Sequence, residues 1–212
     1  MHHLDGVVLR IGASETRPTQ SVFSDAILRR FRRRGRGPAG YSAGMPNYRR
    51  VWVPGGTYFF TVNLLERRRT LLVDHVSALR DAFRAVRIAR PFELLAIVVL
   101  PDHLHCIWRL PAGDADNATR RRYLKRLFSQ RLPRTERLSA QRVRRKERGI
   151  WQRRFWERSL RDDRDVRQHV DYIHYNPVKH RHVQRVADWP WSSFHRYTRL
   201  GLLPRDWRGT KS

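Results

Sequence analysis

The chain has 212 residues, 40% of them hydrophobic, which is enough for one domain of ordinary size with its own core. It carries 45 Lys and Arg against 19 Asp and Glu, a formal net charge of +26, so we expect a polyanionic partner and first of all a nucleic acid. No apolar run approaches the roughly 18 residues of a membrane span, and no apolar segment follows a basic start, so we expect a soluble, cytoplasmic protein without a membrane partner.

Residues 1–44 differ in composition from the rest of the chain. They hold 8 Arg against three acidic residues, with Ser, Thr, Gly and Pro scattered between them, and residues 29–38 have no core-forming period. This composition predicts a disordered basic arm followed by a folded domain at 45–212. Met45 comes just before the first folded pattern and is a second candidate start of translation.

The first two elements are predicted from their hydrophobic patterns. Residues 57–64 are rich in aromatic and β-branched residues and follow a Pro-Gly-Gly turn signal, which predicts a central strand. Residues 74–89 have apolar positions three and four residues apart, which predicts an amphipathic helix with Asp74 as a candidate N-cap.

The next strand candidate, residues 98–108, carries His103 and His105. Side chains at i and i+2 of a strand project from the same face, so the two imidazoles would stand together and Cys106 would turn into the core. Two adjacent imidazoles can bind a metal cation. Cys106 is the single cysteine, which excludes an internal disulfide framework and a cluster of thiolate metal ligands.

A second helix is predicted at 117–131, capped by Asn117 or Thr119. Residues 120–148, which include a basic insertion near 133–148, hold 13 Lys and Arg against two Glu, an excess that favours contact with phosphates. The residues that we expect to bind nucleic acid are Arg120, Arg121, Arg122, Lys125, Arg126, Arg153, Arg154 and Lys179.

Residues 150–160 have the composition of a strand or hairpin, and residues 162–175 predict a third helix that Asn176 and Pro177 would end. This alternation of strands and helices is typical of an α+β fold in which helices cover one face of an antiparallel sheet, and the split β-α-β arrangement fits best. The open face would then present the two histidines.

The third helix places His169, Tyr172 and Asn176 on one face, at i, i+3 and i+7. If this face meets the histidine pair, two neutral imidazoles and an amide oxygen would leave open positions on a divalent ion, which could polarise a phosphate oxygen. Tyrosine is a known covalent nucleophile that needs a metal or a base to attack. Each feature also fits a plain structural role, such as a polar strand surface, a helix core or a helix stop.

Four segments, in order, resemble the REP-associated tyrosine transposases, domesticated relatives of the single-tyrosine transposases with a His-hydrophobic-His (HUH) motif. The segments are GGTYFFTVN at 55–63, VLPDHLHCIW at 99–108, WQRRFWE at 151–157 and DYIHYNPVKH at 171–180. The resemblance covers about residues 45–208; neither the arm nor the basic insertion belongs to these motifs.

The resemblance implies a ferredoxin-like, RRM-like HUH fold that binds hairpin-forming repetitive extragenic palindromes (REPs) as single-stranded DNA. It also implies cleavage with Mg²⁺ or Mn²⁺ through a 5′-phosphotyrosine, leaving a free 3′-hydroxyl, and rejoining of ends. His103 and His105 match the metal-binding pair, Tyr172 the nucleophile and Asn176 the third metal ligand. Tyr175 is a competing candidate for the nucleophile.

Two other functions stay open: a DNA or RNA hairpin-binding protein without turnover, and a metal-dependent nuclease that uses activated water. The resemblance favours a monomer, with a dimer that exchanges its tyrosine helices as the alternative. Residues 188–197 resemble the family's tail, where Trp189 and Trp191 would either stack on bases or belong to the core.

Overall fold

The computed structural model describes residues 53–136, 138–145 and 147–209, so the predicted arm at 1–44 lies outside the described residues. The strands within these residues are β1 Thr57–Asn63, β2 Glu93–Val99, β3 His103–Arg109 and β4 Trp156–Leu160. The helices are α1 Leu71–Asp74, α2 Val76–Ala89, α3 Asn117–Arg131, α4 Ala140–Arg144, α5 Asp163–Lys179 and α6 Phe194–Arg199, with a 3-10 turn at Val186–Asp188. No helix of the described part is long and apolar enough to cross a bilayer.

The strands form one antiparallel sheet in the order β2-β3-β1-β4. Helix α2 connects β1 to β2 and α3 lies between β3 and β4, so the chain follows the β-α-β-β-α-β path of a ferredoxin-like fold. The predicted α+β class with an antiparallel sheet is therefore confirmed.

Helices cover both faces of the sheet, not one as we expected. Helices α2 and α3 pack on one face, where Leu104, Cys106 and Trp108 of β3 are buried. Helix α5 lies on the other face and packs Val170 and Ile173 on the sheet. The central strands are apolar on both sides, so leaving either face open would expose large apolar side chains to water.

The histidine strand is half of a hairpin. Residues 98–108 do not form one strand, because β2 ends at Val99, the chain turns at 100–102, and β3 begins at His103. The amide of Leu100 donates to the His103 carbonyl at 2.8 Å, and Pro101, which has no amide hydrogen to give to a ladder, lies in the turn. The sequence prediction missed β2 because it treated the two apolar runs as one.

Two helix boundaries differ from the prediction. Helix α5 continues through Pro177 to Lys179, since a proline in the last turn removes only one helical amide. Helix α2 begins at Val76 without a side-chain cap. Asp74, the last residue of α1, instead accepts a hydrogen bond at 2.6 Å from Thr70, which precedes α1.

Helix α3 has its predicted bounds but a different cap. Asp116 is the N-cap and accepts from the Thr119 amide at 3.0 Å. In the predicted basic insertion, α4 forms a short helix, and Arg148 donates to the Leu132 carbonyl at 2.9 Å, which ties the end of the insertion to α3.

Candidate active site between the sheet and helix α5

His103 and His105 project from β3 toward α5. Their ring centroids are 4.9 Å apart and each residue is only 4% exposed. Across the sheet, His105 is paired with Thr61 of β1 and His103 with Asn63. The predicted side-by-side pair is thus present, but under a helix instead of on an open surface.

Each imidazole is held through its Nδ1 atom. The Thr61 hydroxyl oxygen lies 2.8 Å from His105 Nδ1, and a carboxylate oxygen of Asp102 lies 2.7 Å from His103 Nδ1. Arg67 forms an ion pair with the same carboxylate. These contacts orient both rings and leave Nε2 of each ring as the nitrogen that is available for a ligand.

Burial keeps both rings in their neutral form at ordinary pH. Burial places the pKa of His105 well below its usual range. The nearby Asn176 amide opposes this shift, but the two side chains do not form a hydrogen bond of normal geometry. Burial also lowers the pKa of His103, against the opposing effect of Asp102. Burial would raise the pKa of Asp102, but its bonds to His103 and Arg67 outweigh that effect and lower it. Neutral imidazole is the form that binds a metal.

Helix α5 brings Tyr172 and Asn176 to this pair. The Tyr172 ring lies 5.2 Å from the His105 ring, centroid to centroid, and the Lys179 ammonium lies 4.9 Å from the centre of the Tyr172 ring. The competing Tyr175 is 39% exposed and packs against Gly209, where an added Cβ would come within 2.9 Å of the Tyr175 ring.

Asn176 is fully buried, yet its amide nitrogen and oxygen have no hydrogen-bond partner in the described part of the chain, and neither does Nε2 of His105. A buried polar atom without a partner costs free energy, so a ligand that these atoms could bind would recover that cost. No group of three or more His, Cys, Asp or Glu residues that could hold a metal occurs among the described residues, so a cation here would rely on the asparagine. Two imidazoles and an amide oxygen fit a divalent ion with open positions.

His169, the third residue predicted for this face, has a different neighbour. Its Nδ1 lies 2.7 Å from the Asp165 carbonyl, and its ring lies 4.9 Å from the ring of Phe59. Sequence reasoning missed Thr61 and Asp102, which orient the histidines, and His180, whose ring lies 5.2 Å from that of His103. The sequence signal for Asp102 was its position next to His103, whereas Thr61 required the register of β1 against β3.

Two of the residues predicted to contact nucleic acid are buried. Arg120 and Arg121 are 1% and 4% exposed. Arg120 forms an ion pair with Asp114 and donates to the Asp116 carbonyl at 2.8 Å, while Arg121 forms an ion pair with Glu157. Both guanidinium groups are buried and ion-paired, which disfavours their contact with a phosphate.

The other predicted basic residues lie in two places. Arg122, Arg126, Arg153 and Arg154 are exposed, and Arg122, Lys125 and Arg153 line a cavity of about 420 Å³ together with Phe155. Lys125 is half-buried and donates to the Gln152 carbonyl at 2.9 Å, and burial lowers its pKa to about 8. Lys179 lies beside Tyr172, on the α5 face of the sheet.

The two tail tryptophans are half-buried. The Trp189 indole donates to the Val99 carbonyl at 2.9 Å, and Trp191 packs against the core on the α2 face, with the Arg80 guanidinium 5.3 Å from its ring centre. The sequence left open whether these tryptophans stack on bases or belong to the core, and these contacts favour the core.

No family profile matches the chain. A Haemophilus influenzae protein assigned to the REP-associated tyrosine transposases is 47% identical over 166 residues, which is 78% of this chain and 94% of the relative. The REP-associated tyrosine transposase of Escherichia coli K12 is 48% identical over 165 residues, 78% of this chain and 92% of the relative. A solved structure of a REP-associated tyrosine transposase bound to a REP hairpin superposes with a TM-score of 0.67 at 48% identity and covers 78% of this chain and 92% of that one. The chain belongs to the REP-associated tyrosine transposases.

Proposed function

We propose that the protein binds hairpin-forming REP DNA as a single strand and cleaves and rejoins it with Tyr172 as the covalent nucleophile. The observation that carries this proposal is the convergence of the Tyr172 phenol, two buried neutral imidazoles and the unpartnered Asn176 amide on one face of the sheet. A solved relative bound to a REP hairpin and the net charge of +26 support DNA as the substrate.

The site would use Mg²⁺ or Mn²⁺, held by Nε2 of His103 and His105 and by the Asn176 amide oxygen. A bound divalent ion polarises a phosphate oxygen and offsets the charge that develops at phosphorus. Asp102 and Thr61 hold the two rings through Nδ1, which would leave Nε2 of each ring to bind the ion.

In the cleavage step the Tyr172 oxygen attacks the phosphorus and forms the tyrosyl–phosphate bond. The bond from phosphorus to the 3′ oxygen of the preceding nucleotide breaks, and that oxygen leaves and takes up a proton to become the free 3′-hydroxyl. The phenol proton passes to solvent. The Lys179 ammonium lies over the phenol ring, 4.9 Å from its centre. Attack by a 3′-hydroxyl on the phosphotyrosine reverses the step and rejoins the ends.

The test uses hairpin-bearing oligonucleotides from the protein's own genomic neighbourhood, incubated with Mg²⁺ or Mn²⁺ and separated on a denaturing gel. We expect a protease-sensitive, protein-linked band that disappears in Tyr172→Phe and persists in Tyr175→Phe, the matched control on the same helix. Hairpin affinity of the Tyr172→Phe protein should change less than about threefold, since one hydroxyl is lost.

Other outcomes would contradict the proposal. Cleavage that survives in Tyr172→Phe and leaves no protein on the DNA would indicate a hydrolytic nuclease. Tight hairpin binding with no cleavage in either metal would indicate a binding protein without turnover. Loss of the adduct in Tyr175→Phe but not in Tyr172→Phe would assign the nucleophile to Tyr175.

A further inference from the structure

Trp156 is a large aromatic residue that the proposed chemistry does not use. It is the first residue of β4, at the edge of the sheet, and it is 45% exposed, whereas Trp108 of β3 is fully buried. A partner that covers the exposed part of the indole would gain the free energy of burying it.

The sheet register places Trp156 beside the active site. Thr61 of β1 is paired with His105 on one side and with Trp156 on the other, so the three side chains share one row and one face. Two strand spacings separate Trp156 from His105, roughly 10 Å.

Phe59 supports the indole from below. The two rings meet edge to face at 5.2 Å, and Phe59 also lies 5.6 Å from the His105 ring and 6.0 Å from the Tyr172 ring. One set of packed rings therefore connects the exposed indole to the site. A stacking surface is most effective when it is held rigidly in this way, because little side-chain entropy is lost on binding.

The surrounding charges select the kind of partner. Arg153 and Arg154, three and two residues before Trp156, are both exposed, and the whole chain carries a net charge of +26. A second copy of this chain docked here would bring like charges together, whereas a single DNA strand brings phosphates to the arginines and an unpaired base to the indole.

We propose that Trp156 is the platform on which one unpaired base stacks, next to the phosphate that Tyr172 attacks. This inference rests on the proposed function for the identity of the strand. Stacking on an aromatic face tolerates any base, so Trp156 would position the strand for attack without selecting its sequence.

The test measures hairpin binding in a Tyr172→Phe background, so that the DNA is not cleaved or linked to the protein during the measurement. The ligands are hairpins with single-stranded extensions in which an abasic site is moved one nucleotide at a time. Trp156→Ala should weaken binding by about 5- to 100-fold, and Trp156→Phe should recover most of the loss. Ile88→Ala, an even more exposed apolar position on α2, serves as the control and should leave affinity unchanged.

The decisive result is whether the binding contributions of Trp156 and of one particular base depend on each other. An abasic site at one position should weaken binding to the Trp156 protein but have little further effect in Trp156→Ala. Trp156→Leu, which keeps apolar packing on Phe59, should behave like Trp156→Ala if stacking is the cause. Its thermal unfolding should match that of the unmodified protein, which would show that the fold is intact.

Two results would overturn the platform. The first is that the losses of binding free energy from Trp156→Ala and from the abasic site add fully at every position. The second is that substitution changes the oligomeric state without any coupling to a base, which would make Trp156 a contact between copies of the chain. Coupling to one base in a protein that cleaves no hairpin would support the platform and reject the proposed chemistry, so the two failures are distinguishable.

Discussion

The Thr61 hydroxyl oxygen lies 2.8 Å from Nδ1 of His105, across the pairing of β1 with β3. This contact fixes the orientation of an almost fully buried ring whose Nε2 has no hydrogen-bond partner in the described part of the chain. A residue outside the proposed ligand set thus decides where the ligand nitrogen points.

Replacing Thr61 with valine should therefore weaken metal binding without removing a ligand. Partners of this kind typically contribute about 10- to 100-fold in metal affinity, so we expect a loss of that size for Mn²⁺ in an isothermal titration. Thr57→Val is the matched control on the same strand, since its hydroxyl accepts from Arg109 at 3.1 Å and not from a histidine. Equal Mn²⁺ affinity in Thr61→Val and the unmodified protein would refute the orienting role.

We expect the Asn176 amide to lower the free energy of unfolding of the metal-free protein while it contributes to metal binding. Asn176→Leu removes a buried, unpartnered amide, so we expect the metal-free protein to gain about 1 kcal/mol or more in free energy of unfolding and to lose Mn²⁺ binding. Asn117→Leu is the control, because that buried amide accepts from the Trp108 indole at 2.6 Å and donates to Glu157 at 2.8 Å. Asn117→Leu should lower the free energy of unfolding instead. Urea unfolding of both variants measures the two changes in free energy, which should have opposite signs.

The neighbours Arg121 and Arg122 should have opposite roles. Arg121→Met leaves Glu157 as a buried, unpaired charge, and breaking such a pair costs about 3 kcal/mol or more in stability. Arg122→Met changes an exposed cation and should leave stability within about 0.5 kcal/mol. If Arg122 contacts a phosphate, the slope of log hairpin affinity against log salt concentration should become less steep by about 0.7 to 0.9 in Arg122→Met. Arg121→Met should leave this slope unchanged. An unchanged slope would remove Arg122 from the DNA contacts.

His174 should make the protein less stable in mild acid. Its side chain is fully buried beside the Ser193 hydroxyl, and burial lowers its pKa from 6.5 to about 3. The unfolded chain therefore binds an extra proton between these two values, and the free energy of unfolding falls as the pH decreases below 6.5. The loss from this group is about 2 kcal/mol at pH 5.

The measurement compares the protein with His174→Gln, because His103, His105 and His169 have lowered pKa values and act in the same direction. The difference in unfolding free energy between the two proteins should change by about 2 kcal/mol from pH 7 to pH 5. A difference that stays constant over this range would show that His174 does not titrate on unfolding.

Local patterns in the sequence determined several features that the structure reproduces. Composition and a turn signal predicted β1, the spacing of apolar residues predicted α3, and the two-residue spacing predicted that His103 and His105 share a face. The spacing of Tyr172 and Asn176 predicted that both lie on one side of α5. These predictions succeed because side-chain direction within one element depends only on its own backbone geometry.

Only the tertiary structure decided which residues are buried together. Arg121 and Arg122 are adjacent and chemically identical, but Arg121 alone of the two meets Glu157, which comes from β4. In the same way, Thr61 reaches His105 through strand pairing, and α5 covers the face that we expected to be open. Burial and ion pairing depend on partners distant in the chain, and no local period in the sequence encodes where those partners lie.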